Sequence, residues 1–86
     1  MAVIKKKTWP ELFELVKAGK KNFDMRAADF DIQEGDTLVL EEWDPKKQEY
    51  TGRTIEKEVK YVLRFGLDDF GQKQAIEENG LYVIQF

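Results

Sequence analysis

Gly19-Lys20-Lys21-Asn22-Phe23-Asp24-Met25-Arg26 is the stretch on which the reading of the chain turns. A glycine ends the preceding helical pattern, and the residues after it alternate. Phe23 and Met25 fall on one face of an extended chain, and Asn22, Asp24 and Arg26 on the other. The expectation is a central strand with one face for the core and one for a ligand.

Upstream, Trp9, Leu12, Phe13 and Val16 follow the spacing of one buried helical stripe, while Glu11, Glu14 and Lys17 face outward. Thr8-Trp9-Pro10-Glu11 has the spacing of a capping box, and Gly19 supplies a left-handed stop, so a helix is predicted over residues 9–18. Residues 2–7 read as an edge strand whose three lysines, Lys5 to Lys7, discourage edge-to-edge pairing.

Downstream, Glu34-Gly35-Asp36 is a tight turn, and residues 37–43 are a strand with apolar residues on both faces. A polar tip over residues 44–49 leads into Tyr50-Thr51-Gly52-Arg53, which together read as a hairpin. Strict alternation predicts a strand over residues 54–63. Phe65, Leu67 and Phe70 are candidates to pack over an open barrel end, a short helical turn is expected near residues 72–78, and residues 81–86 read as a closing strand after Asn79-Gly80. The sum is an α+β domain over residues 1–86: a small, mostly antiparallel β-barrel with an early amphipathic helix packed against it.

Composition narrows the function. Eighty-six residues with eleven aromatics suffice for one modest core. The absence of cysteine and histidine leaves only carboxylates to bind a metal, which argues against zinc, and no cofactor is expected. A net charge of −3 argues against a long DNA duplex as partner. The first residues do not form a signal peptide and no stretch is long and apolar enough for a membrane span, so no membrane association and a cytoplasmic location are expected.

The pattern G-x-K-x-x-[E/D]-x-R over residues 19–26 resembles the signature of the ASCH (activating-signal-cointegrator homology) family, within the PUA-like superfamily of small β-barrels associated with RNA. The preceding helix, Gly35-Asp36, Glu42-Trp43-Asp44-Pro45 and Tyr50-Thr51-Gly52-Arg53 extend the likeness, which is strongest to a small prokaryotic and phage-borne subfamily. The chain departs from that subfamily at Ala28 and Phe30, where Asn and Arg are usual, and in lacking a histidine near its N-terminus.

The resemblance implies a PUA-like fold and a ligand cleft between helix and barrel, taking single-stranded or modified RNA or a nucleotide-like ligand. Lys21 and Arg26 suit phosphate or a base edge, Asp24 suits an exocyclic amine or ribose hydroxyl, and Trp43 and Tyr50 offer stacking surfaces. Lys20 and Arg53 complete the candidate set. On spacing alone, a surface ion-pair cluster is the commoner meaning of Lys21, Asp24 and Arg26; the resemblance reverses that order.

Two other functions compete. Some small ASCH proteins hydrolyse an acetylated cytidine with a lysine at the place of Lys21, a threonine nucleophile at the place of Asp24 and a later glutamate. Here Asp24 removes that nucleophile, and a water activated by Asp24 with Glu77 or Glu78 is all that remains of the reaction. The third function is a protein-interaction module presenting the hairpin tip, residues 44–49.

Overall fold

The computed structural model describes all residues, Met1–Phe86. Five elements follow one another: β1 (Val3–Thr8), α1 (Pro10–Lys17), β2 (Thr37–Asp44), β3 (Glu49–Glu58) and α2 (Lys73–Asn79). The three strands form one sheet in the order β1-β2-β3. β1 pairs with β2 in parallel, from Val3 opposite Thr37 to Thr8 opposite Glu42. β2 and β3 are antiparallel, with Leu40 opposite Ile55 and Trp43 opposite Tyr50.

The sheet is open and mixed, which overturns the expected antiparallel PUA-like barrel. Three strands are too few to close on themselves. Residues 22–26 and 81–86 belong to no strand, and β3 ends at Glu58 where alternation predicted a strand through residue 63. Beyond Glu58 only Val59 still bonds toward the sheet, its N–H donating to Asp36 O and its carbonyl accepting from Gly35 N. The chain then leaves, and Tyr61 and Leu63 are exposed.

The helix forms within its expected span, but its entry differs from the expectation. Trp9 is the N-cap residue and no side chain caps the helix. Thr8 is the last residue of β1, and its hydroxyl accepts from Arg26 Nη2 at 3.2 Å, so no capping box forms. Pro10 opens the first turn, where a missing N–H costs nothing. Phe13 and Val16 are the buried residues of α1; Leu40 of β2 is buried on the sheet face that carries Glu42 and its Arg53 partner beside Phe13, Val39 is buried on the opposite face, and Trp9 and Leu12 stay exposed. The helix ends in a Schellman motif: Gly19 has φ 76°, its N–H donates to Val16 O, and Lys20 N donates to Leu15 O.

A second turn anchors the parallel pair. Gly35 has φ 90° and Asp36 N donates to Gln33 O at 3.1 Å, closing the turn before β2. The buried Asp36 carboxylate then accepts from Ala2 N at 2.9 Å and Gln33 N at 3.0 Å. These two backbone donors hold its carboxyl below the usual aspartate range. The carboxylate thus ties the start of β1 to the start of β2.

β3 carries the one irregularity of the ladder. Between the Glu41–Thr54 and Trp43–Tyr50 pairs, Thr51, Gly52 and Arg53 of β3 stand opposite Glu42 alone. Gly52 has φ 95°, a conformation that L side chains rarely adopt, although a Cβ there would meet nothing within 4 Å. Gly52→Ala should therefore destabilise by roughly 1–2 kcal/mol through backbone strain alone. Urea denaturation checks this; unchanged stability would mean that the bulge relaxes without cost.

Candidate functional site

The Gly19–Arg26 segment is a corner between the end of α1 and the sheet. After the Schellman turn Lys21 N also donates to Leu15 O, at 3.1 Å, and Asn22 Nδ2 returns to Gly19 O at the same distance. Phe23 and Met25 are not core residues, being partly exposed on this irregular stretch. Their alternation with Asn22, Asp24 and Arg26 has no strand partner to give it a buried face.

Lys21, Asp24 and Arg26 do come together as expected from the sequence. Arg26 Nε donates to Asp24 Oδ2, and Arg26 Nη2 reaches both Asp24 Oδ1 at 3.4 Å and Thr8 Oγ1 at 3.2 Å. Lys21 Nζ lies 3.8 Å from Asp24 Oδ1 and donates to Phe23 O at 2.7 Å. The side chains of Lys21, Asp24 and Arg26 are only 13%, 20% and 26% exposed. They fold inward while the backbone that carries them runs along the surface.

One carboxylate is thus shared by two cations, and Arg26 also crosses to the sheet through Thr8. Of the five guanidinium donors, those on Nη1 have no acceptor in the protein. Thr8 is the member that the sequence concealed, because its hydroxyl read as a helix cap.

Arg53 belongs to a different constellation. Its Nε and Nη2 donate to Glu42 Oε1 at 2.8 Å and Oε2 at 2.7 Å, and Nη2 also reaches Glu14 Oε1 on α1 at 2.6 Å. Thr51 Oγ1 donates to Glu42 Oε1 at 2.6 Å, and the guanidinium lies 4.9 Å from the Phe13 ring centroid. With Nε and Nη2 directed at two carboxylates, Arg53 fastens helix to sheet, while its side chain stays 44% exposed and its Nη1 has no acceptor in the protein. Glu42, 3% exposed, is the residue whose role went unread, though a signal existed: alternation with Leu38 and Leu40 sets an acid on an apolar face, which demands a cation.

Trp43 and Tyr50 form a third group. They are a cross-strand pair with ring centroids 4.9 Å apart in edge-to-face contact, and Lys7 Nζ sits 3.8 Å from the Trp43 centroid. Lys7 and Thr8 are consecutive on β1 and project to opposite faces of the sheet. The aromatic pair is therefore across the sheet from Arg26, and the single cleft expected from the sequence is divided. Lys20 contributes a backbone carbonyl that accepts from Gln85 Nε2 at 2.6 Å; its ammonium has no polar partner in the protein.

The family model for a domain of unknown function, DUF3850, matches residues 4–76, from β1 into α2. The chain belongs to the DUF3850 family. A curated relative of this DUF3850 domain is the "Uncharacterized 12.9 kDa protein in GpA 3'region" of Escherichia phage P2, 38% identical over 60 residues, or 67% of this chain. The chain spans about half (53%) of that relative's length. No solved structure matches this chain.

Acid should test the Glu42 network. Hydrogen bonds from Arg53 and Thr51, in that order, hold the Glu42 carboxyl at about 2 against an ordinary value of 4.5. Between these values the unfolded chain binds a proton that the folded chain does not, so stability present above pH 4.5 is lost as pH falls toward 2. Thermal midpoints across this range should drop in the native protein. The drop should be smaller in Glu42→Gln, which starts from a lower midpoint at neutral pH; parallel curves would remove Glu42 as a cause.

Proposed function

We propose that this domain binds single-stranded or modified RNA, or a nucleotide-like ligand, at the corner formed by Lys21, Asp24, Arg26 and Thr8, in the cytoplasm. The observation that carries the reading is a pair of fixed cations with donors to spare. Asp24 and Thr8 take Nε and Nη2 of Arg26, which orients the guanidinium and leaves Nη1 for an incoming oxygen. Lys21 Nζ is held by Phe23 O beside the same carboxylate and retains protons for a second oxygen.

Two anchored cations at one corner suit a phosphate with an adjacent polar group better than an extended polyanion. The net charge of −3 works against a long duplex, which gains affinity from many phosphates at once. Preference for RNA draws its support from the resemblance of residues 19–26 to the ASCH signature. The partly exposed Phe23 ring beside Lys21 Nζ, at 4.8 Å, supplies an aromatic surface for an unpaired base. Asp24 has both oxygens facing Arg26, an arrangement that orients a guanidinium and does not favour activation of water for hydrolysis.

Arg26→Ala should weaken binding of a short single-stranded RNA by roughly tenfold or more, the loss expected for hydrogen bonds from a charged donor. If Arg26 meets one phosphate, the salt slope of log K should also shrink by about 0.7. Fluorescence anisotropy at several salt concentrations gives both quantities, with the amide spectrum as a control for folding. Undiminished affinity in a folded variant would remove Arg26 from the site.

A further inference from the structure

Residues 81–86 form neither helix nor strand, and their side chains are largely exposed, Tyr82 at 92%. One side chain nevertheless fastens this stretch to the candidate site. Gln85 Oε1 accepts from Asn22 N at 2.7 Å, and Gln85 Nε2 donates to Lys20 O at 2.6 Å. The two backbone groups flank Lys21. A parallel strand brackets a residue in the same way, donating to the carbonyl before it and accepting from the N–H after it. The Gln85 amide imitates one rung of a ladder that residues 19–26 otherwise lack.

Lys21 is consequently held at three points. Its own N–H is tied to Leu15 O of α1, its ammonium to Phe23 O, and the peptides on either side to Gln85. The helix end fixes the chain before Lys21 and the Arg26–Thr8 bond fixes it after Asp24. Between them, Gln85 is the only residue distant in sequence that bonds the backbone. Both of its bonds are solvent-accessible, so removing them exchanges protein partners for water and loosens the segment without stranding a buried group.

We propose that Gln85 is the positioning residue of this corner: by bracketing Lys21 through Lys20 O and Asn22 N, its amide sets where the Lys21 ammonium meets an anionic ligand. The consequence for affinity rests on the reading of the corner as an RNA or nucleotide site; the bracketing itself does not. An amide is required because the bracket needs one donor and one acceptor. Gln85→Glu keeps the acceptor for Asn22 N but turns a carboxylate oxygen toward the Lys20 carbonyl.

The test compares the isotope-labelled 86-residue chain, native and with Gln85→Ala, Gln85→Glu, Lys21→Ala, or Lys21→Ala and Gln85→Ala combined. Gln85→Ala should speed Asn22 amide exchange roughly three- to tenfold, the equivalent of one net hydrogen bond, and leave Leu40 exchange in β2 unchanged. Affinity for a fluorescein-labelled single-stranded RNA octamer should fall by a similar factor, and Gln85→Glu should not restore it. The double variant should bind no worse than Lys21→Ala alone, because Gln85 acts through Lys21.

Unchanged exchange at Asn22 would overturn the positioning role regardless of any RNA result. Additive losses in the double variant would also overturn it, by showing that Gln85 contacts the ligand independently of Lys21. If the native protein binds no octamer, the RNA reading falls alone, and the positioning role is decided by Asn22 exchange together with relaxation of the Lys21 amide.

Discussion

A buried carboxylate must find a cation or well-placed hydrogen-bond donors or lose its charge, and Glu42 meets that constraint with Arg53 and Thr51. The pairing organises the local architecture. Gly52 lets β3 bulge so that both Thr51 and Arg53 reach across to one glutamate, and the same guanidinium continues to Glu14 and lies against Phe13 of α1. Helix, central strand and edge strand are thus joined at one polar point that runs from the buried Glu42 out to the exposed Glu14. Thr8, paired in register with Glu42, carries that rigidity to the edge of the sheet, where Arg26 docks.

Much of the framework was legible. Spacing located α1, because a stripe at helical period followed by glycine has few other meanings, and it located β1, β2 and the turn between β2 and β3. The misplaced strands share one cause. Alternation reports what side chains would do in a strand, but it carries no information on whether another backbone lies alongside. At residues 19–26 and 81–86 the bonds that would have made a ladder go to a helix end, to Arg26–Thr8 and to the Gln85 side chain. Thr8 illustrates the same limit at the scale of one atom, since its hydroxyl suited a helix cap and an arginine equally well on paper.

The candidate site was legible as a charge pattern, and less so as an arrangement. Lys21, Asp24 and Arg26 are near neighbours in sequence and meet in space, whereas Trp43, Tyr50 and Arg53 required knowledge of strand faces and of the bulge. Strand alternation in β1 places Lys7 and Thr8 on opposite faces, and this divides the aromatic pair from the cationic corner. The pairing of Arg53 with Glu42 was hidden because the two lie eleven residues apart across a bulged hairpin.

The parallel pairing of β1 with β2 also orders the assembly of the chain. The β2–β3 hairpin turns through residues 45–48 and closes locally, on the timescale of hairpins, roughly microseconds. β1 joins only after residues 9–36 have been gathered, and loop-closure entropy has to be met before any parallel bond forms. Arg26 can find Thr8 only when that edge is in place, so the corner is completed late. If that closure follows the folding transition state, a ligand that grips the corner slows unfolding with little change in the rate of folding.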